Sequence, residues 1–483
     1  MSFISDFLQR KIVTKDTGEE TYLTWKETLG YGMGRGAQGM STSIMNGGPA
    51  NFFITNVFGI EPGTAAKIKL FTGFWDALND PILGSIVDRT RTKYGKMRPY
   101  IKWAPFISAF FTSLYFSGQA DWDAAFKALF MVVAFVGWDM SYTAVDVPMG
   151  ALAFSITPNG IERVKLFGIS NIMRMILGSI AGGIVSVAVL FERFKGNPAP
   201  AYFLAAIVAS AGMILLTRPA FYWTRERAKY SDDTPKLLEQ LSLLFQNKPL
   251  FMLVISNILF IFVTLPSAMQ MYFAVDMMGD GKFTVPLTMA TAPAGFLSGI
   301  IFPMIAERMG KRMDFRKFYM LCCAAAAGAH LTLLITSYNP IMKNTGVVSW
   351  GVAILVCFQI MLTVIPLEFK NICAKQMEAM TVDYIERKTT QRAEGVMLSV
   401  MSFTGKLQNS AASAVVLWLL ELSNYVTHTD TVRTEQPESA RLALFAMYTV
   451  IPAAAWLLMM IPIWFFNVDN DKEKSDKNLQ AVV

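Results

Sequence analysis

The residues best suited to chemistry in this 483-residue chain are carboxylates set inside apolar stretches. Asp76 and Asp80 stand four apart in WDALNDPILGSIVDRTRTKYGKMRP, residues 75–99. On a helix that spacing puts both on one face, about 6 Å apart along the axis, with Asn79 beside them. A second run, GWDMSYTAVDVPMG (137–150), carries Asp139, Tyr142, Thr143 and Asp146, of which Thr143 and Asp146 share a face. Asp76, Asp80, Asp146 and the Thr143 hydroxyl make an oxygen donor set fit for a small hard cation. Clustered carboxylates also hold protons, so the donor types leave Na⁺, Li⁺ and H⁺ all open. An ionisable group at membrane depth costs at least a few kcal/mol and marks a functional position by default.

Three buried-looking cations are candidate counter-charges. Arg35 lies several residues into the first apolar stretch, and Arg174 lies eleven residues beyond Arg163, roughly 16 Å deep at ~1.5 Å per residue. Lys406, in SFTGKLQNS with Ser402 one turn before it, is the third. Each can hold a carboxylate partner in one state and bind substrate or release a cation in another. Tyr31, Trp138, Tyr142 and Trp350 can stack on a sugar ring, although Trp and Tyr also anchor membrane interfaces.

The elements that must position these groups are membrane spans. Of the residues, 53% are hydrophobic and 16% charged, against about 25% charged in soluble domains. Apolar stretches of spanning length fall near 28–58, 64–87, 100–118, 125–153, 164–191, 201–223, 249–272, 284–306, 317–337, 346–368, 389–421 and 441–467. The expectation is an all-α polytopic protein with twelve transmembrane helices in two six-helix bundles, 28–223 and 249–467. A segment 1–27, a linker 224–248 (with an amphipathic helix over 234–246) and a tail 468–483 are assigned to the cytoplasm. Gly47-Gly48-Pro49 predicts a break in the first span. Lys and Arg concentrate in alternate loops, which places both termini inside, and the polar N-terminus lacks a signal peptide.

Asp88-Arg89 with Gly95-Lys96 is echoed by Glu307-Arg308 with Gly310-Lys311, each after the second span of its half. Two such halves are the arrangement of a major-facilitator transporter, with its site between them near the midplane. The net charge of +7 sits in loops beside spans, which argues for membrane lipid and against nucleic acid. The cysteines, Cys322, Cys323, Cys357 and Cys373, form no CxxC pair and read as packing residues. His330 reads as an interfacial histidine near the outer end of a span.

WDALNDPILGSIVDRTRTKYGKMRP, SYTAVDVP (141–148) and DYIERKTTQRAEGVMLSVMSFTGK (383–406) resemble the glycoside–pentoside–hexuronide:cation symporters, the melibiose-permease-like branch of the major facilitator superfamily. The resemblance implies a cation site at Asp76, Asp80, Asp146 and Thr143, with Asp146 also touching sugar. Lys406 and Ser402 match the family's lysine and hydroxyl of the eleventh span. The sugar side departs: Gln38, Gly39 and Met40 stand where an acid is expected, Asn171 stands at an arginine position with Arg174 one turn on, and Gly150 replaces a tryptophan. These changes imply an acidic sugar derivative such as a uronide, with a neutral pentoside or glucoside open.

The implied protein is a sugar:cation symporter of the bacterial inner membrane. It works by alternating access, without cofactor and as a monomer, with Asp88, Arg89, Glu307 and Arg308 gating the cytoplasmic side. A carrier of lysolipid or another amphiphile, and a non-transporting sugar sensor, are the alternatives. A membrane enzyme finds no support in the motifs.

Overall fold

In a computed structural model, residues 9–11, 21–46, 48–157, 160–190, 197–227, 247–291, 293–298, 301, 305, 314–344, 346–389, 394–428 and 435–468 are described. Among them there is no β-strand beyond two isolated bridges. The helices are α1 (Trp25–Met45), α2 (Gly48–Phe52), α3 (Pro62–Arg89), α4 (Arg98–Tyr115), α5 (Ala124–Ile156), α6 (Gly160–Leu190) and α7 (Ala199–Trp223). After the linker come α8 (Lys248–Val263), α9 (Thr284–Met289), α10 (Phe315–Ser337), α11 (Trp350–Thr389), α12 (Glu394–Leu422), α13 (Glu438–Tyr448) and α14 (Val450–Trp464). Six described helical segments are long and apolar enough to cross a membrane by length and composition. Every expected span has helix within it, so the chain is an all-α, multi-pass membrane protein.

Polar caps start the helices where the chain enters the membrane. Thr24 and Glu27 form a capping box on α1, and Asp123, Asn247 and Asp314 accept backbone N–H bonds at the starts of α5, α8 and α10. On α3, Phe71, Phe74, Leu78, Ile82 and Ile86 form an exposed apolar stripe suited to lipid. Residues two positions from a helical stripe lie about 200° round the axis. Asp76 and Asp80 are therefore turned inward by the same periodicity that turns the stripe outward.

The first span breaks where Gly48-Pro49 predicts: α1 ends at Met45 and a new helix starts at Gly48, passing into a π turn over Phe53–Val57. The seventh does the same. Beyond α8 come Leu265–Ala268 and Gln270–Tyr272, then a π turn over Phe273–Met277. Both turns end on a glycine with positive φ, Gly59 at 74° and Gly279 at 90°. FITNVFG (53–59) and FAVDMMG (273–279) are thus one device used once per half.

At this end of the bundle, the distal end (away from the N-terminus), the halves are joined. Asn51 donates to the Ala268 carbonyl at 2.9 Å and to the Ser413 hydroxyl at 3.1 Å. The Thr55 and Tyr272 hydroxyls are 2.6 Å apart. Asn56 donates to the Tyr425 hydroxyl at 3.0 Å, which donates to buried Asp276 at 2.8 Å. Glu421 of α12 accepts from the Gly63 N–H at the start of α3. One buried cluster here includes Phe52, Phe53, Tyr272, Phe273 and Tyr425 from both halves. Two further clusters lie towards the proximal end, each built from one half alone.

The tenth span departs from its expected bounds. It is one helix of 40 residues reaching Thr389, because the segment after Pro366 is rich in Ala, Met, Gln, Glu and Lys, which favour helix whether or not lipid surrounds them. Lys370, expected in a loop, is buried, its ammonium 3.6 Å from the centre of the Phe260 ring. The expected amphipathic helix over 234–246 lies outside the described residues.

Close approach of α1 to α6 depends on Gly39, where a Cβ would come 2.4 Å from the Arg174 carbonyl oxygen. Small residues are what let membrane helices pack this closely. Gly39→Val is expected to cost about 1–3 kcal/mol by overpacking. Gly168→Ala, on α6 with no described atom within 4 Å, is expected to gain about 0.5–1 kcal/mol in helix propensity. Thermal unfolding in detergent checks the opposite signs.

Candidate cation and substrate site

The packing of α1 on α5 and α6 brings the polar residues of three helices to one place. The Trp138 indole donates to Ser41 at 3.0 Å and stacks on Tyr142 with centroids 5.2 Å apart, fixing the register of α5 on α1. One turn further along, Arg35 Nη1 lies 2.9 Å from Asp146 Oδ1 and 2.8 Å from Gln38 Oε1, and Gln38 Nε2 donates to the same Asp146 oxygen at 3.1 Å. The three side chains close a ring between the helices. Arg35 and Asp146 keep 25% and 30% of their side-chain surface exposed. Such a pair is worth about 1 kcal/mol or less, well under the roughly 3–5 kcal/mol lost on breaking a fully buried one. A ligand with charge of its own can therefore displace it.

Tyr142 stands at the centre of this region. Its hydroxyl is within electrostatic reach of Asp146, Arg35, Arg174 and Asp76, so charges of α1, α3, α5 and α6 meet around one phenol. Thr143 is fully buried, and its hydroxyl has no described hydrogen-bond partner. Asp76 and Asp80 are half-buried on the inner face of α3.

Other residues of the expected set fall elsewhere. Asn79 is buried and donates to Asp139 at 3.3 Å, which ties it to a carboxylate outside the expected cage. Asp76, Asp80 and Asp146 are not gathered into one metal-holding group: among the described residues no three His, Cys, Asp or Glu side chains are so placed. The physical reason is that Asp146 is drawn towards Arg35 and Gln38. Asn171 is exposed, with its amide 3.9 Å from the Met175 sulfur. Arg174 is exposed and lies within electrostatic reach of Glu368 on α11. Ser402 and Lys406 are on α12, and their side chains lie outside the described part. Arg89 is exposed at the end of α3. The Asp88 side chain, Glu307 and Arg308 are outside the described residues. Trp350 is an exposed end-of-helix residue packed on Phe283, away from the site.

The profile of the MFS/sugar transport proteins matches residues 30–470. The chain belongs to that family. It is 25% identical over 464 residues to the glucuronide carrier protein homolog of Escherichia coli (strain K12), covering 94% of each chain. It is also 25% identical over 471 residues to the isoprimeverose transporter of Lactiplantibacillus pentosus, covering 94% of this chain and 91% of that one. The fold matches a crystal structure of a D-xylose-proton symporter with a TM-score of 0.64 at 12% identity, over 92% of this chain and 97% of the other. The chain is accordingly a major-facilitator transporter with two six-helix halves, and not an enzyme.

Several residues of this transporter carry structure that the sequence reading missed. Glu226, just past α7, accepts backbone N–H bonds from Lys96, Met97 and Arg98 at 2.9, 2.9 and 3.1 Å. It thus holds the loop after α3 onto the end of α7 within one half. Arg227 pairs with Glu27 at 2.6 Å. His330 is buried near the later end of α10 and lines a cavity together with Glu368. Glu368 is the last residue of the expected span 346–368, whereas α11 runs on to Thr389.

The Arg35–Asp146 contact predicts a measurable coupling. A double-mutant cycle with Arg35→Gln and Asp146→Asn, read by thermal unfolding in detergent, is expected to return about 0.5–1 kcal/mol, the range for contacting residues and exposed pairs. Strict additivity would mean that the two charges do not act on each other.

Proposed function

We propose that this transporter is a sugar:cation symporter of the bacterial inner membrane, with both termini in the cytoplasm, and that it moves a glycoside, pentoside or uronide by alternating access. The reading is carried by the Arg35–Gln38–Asp146 ring beside Asp76 and Tyr142. One carboxylate of the expected cation set is held by a weak, partly hydrated arginine pair that a cation can replace. The names of the relatives, a glucuronide carrier homolog and an isoprimeverose transporter, fit a sugar cargo.

The coupling runs through competition for Asp146. When Na⁺, Li⁺ or H⁺ joins Asp76, Asp80, Asp146 and the unpartnered Thr143 hydroxyl, Asp146 leaves Arg35. Arg35 and Gln38 then become free to take the substrate, together with Tyr142, Arg174, Asn171, Lys406 and Ser402. Asn79 acts from behind, holding α3 to α5 through Asp139. Linkage makes the effect mutual, so sugar tightens cation binding by the same factor.

The division into halves at 28–223 and 249–467 supplies the moving parts. The shared distal cluster and the separate proximal clusters support an inward-facing form, closed at the distal, periplasmic end. In the outward-facing form the loops carrying Asp88, Arg89, Glu307 and Arg308 close the cytoplasmic side. The protein works as a monomer in lipid, with no cofactor and no nucleic acid.

The test is uptake by Asp76→Asn in proteoliposomes. Sugar counterflow is expected to persist while accumulation driven by a cation gradient falls at least ten-fold. Unchanged gradient-driven accumulation removes Asp76 from the cation site. A second variant, Asp276→Asn, is expected to weaken the periplasmic seal and raise thiol labelling of a cysteine placed at Thr55; unaltered labelling would show that the Tyr425–Asp276 contact does not hold the seal.

A further inference from the structure

Away from the candidate site, α4 and α7 pack side by side in the N-terminal half, with the Ser210 hydroxyl of α7 donating to the Ala109 carbonyl of α4 at 3.2 Å. Towards the proximal end their contact becomes a ladder of cations on rings. The Lys102 ammonium of α4 lies 5.3 Å from the centre of the Phe221 ring of α7, and the Arg218 guanidinium of α7 lies 4.5 Å from that of the Phe106 ring of α4. Lys102 is also 5.0 Å from the Tyr94 and Trp103 rings. Lys102 and Phe106 are four apart on α4, and Arg218 and Phe221 three apart on α7. The two rungs are thus about one helical turn apart, and each helix supplies one cation.

Ring contacts orient these heads without neutralising them. Among the described residues neither Lys102 nor Arg218 has a hydrogen bond or an ion pair. Two more cations stand at the same corner. Lys93 is exposed with its ammonium 5.2 Å from the Tyr94 ring, and Arg225 is exposed within electrostatic reach of Arg98. Glu226, which also lies near Arg98, is engaged by the N–H groups of Lys96, Met97 and Arg98. Lys102 and Arg218 therefore present charge that no described side chain balances.

Depth and surroundings point to the counter-charge. Lys102 lies four residues inside the start of α4, and Arg218 five inside the end of α7. That is about 6–8 Å in from the helix ends, the level of lipid phosphates. Trp103 and Tyr222 are exposed at the same level, as interface anchors are. One turn deeper, Phe110 and Leu215 are exposed too and offer apolar surface to acyl chains. Inorganic phosphate could meet the charge but not that surface. We infer that Lys102 and Arg218 bind the phosphate of an anionic phospholipid of the phosphatidylglycerol type. Lys93 and Arg225 face its headgroup, and Phe106, Phe110 and Leu215 run along its chains. The lipid holds α4 to α7 where Glu226 ties the loop after α3 to the same helix. The inference is independent of the cargo.

The test is lipid retention by the full-length transporter in detergent, read by native mass spectrometry. Phosphatidylglycerol and phosphatidylethanolamine with matched chains are added in equal amounts. Phosphatidylglycerol is expected to be retained several-fold over phosphatidylethanolamine. Lys102→Gln and Arg218→Gln are each expected to weaken it about five-fold; should one variant fail to fold, the other carries the test. Lys248→Gln, at the exposed start of α8 in the other half, is expected to leave retention unaltered. Equal retention of the two lipids, retention unaltered by the Lys102 and Arg218 changes, or an equal loss in Lys248→Gln overturns the site. Displacement of the lipid by inorganic phosphate alone overturns the lipid assignment in favour of a free anion.

Discussion

A carboxylate held among membrane helices must be given a partner, because neither lipid nor packed apolar side chains can take the place of water around a charge. In this transporter the partner of Asp146 is Arg35, and the contact is poised rather than locked. Gln38 bonds both ends of the pair, and solvent reaches about a quarter of each side chain. The surrounding architecture serves that contact. Gly39 lets α1 approach α6, Trp138 sets the register of α5 on α1, and the lipid-facing stripe of α3 turns Asp76 and Asp80 inward. Without these constraints the same charges would sit in lipid or collapse into permanent pairs.

The two halves solve their distal ends in the same way. Each breaks its first helix, passes through a π turn and closes on a glycine of positive φ. Asn56 and Asp276 occupy corresponding positions of FITNVFG and FAVDMMG, and both reach the Tyr425 hydroxyl. One phenol thereby joins the two repeats through buried hydrogen bonds, with His428 and Gln436 adding to the Asp276 side at 2.8 and 3.4 Å. These contacts are satisfied only when the halves meet in register.

Much of this was legible in the sequence because membranes impose simple rules. Span length, basic loops, the break at Gly48-Pro49 and the inward face of Asp76 and Asp80 all follow from periodicity and composition. The pairing of Arg35 with Asp146 did not, since residues 111 positions apart meet only through the packing of α1 on α5. The three-carboxylate cage was expected from donor types alone, and the competition from Arg35 and Gln38 for Asp146 is a tertiary effect that donor types cannot show. Glu368 and His330 drew no attention as neighbours for a related reason. A charged residue near the end of an apolar run reads as a boundary, yet α11 continues as helix well past it, and the cavity that Glu368 and His330 both line is created only by the fold. The FITNVFG and FAVDMMG echo carries no charge pattern, and it stands out as a repeat only once both segments form π turns.

In the proposed mechanism one cation and one sugar share the region around Asp146 and bind in mutual dependence. The most direct measurement is sugar affinity of the purified transporter across a titration of Na⁺ at fixed pH and of pH without Na⁺, set against cation affinity with and without sugar. One cation is expected to raise sugar affinity several-fold, and sugar to raise affinity for that cation by the same factor. Sugar binding indifferent to Na⁺, Li⁺ and pH alike would contradict it.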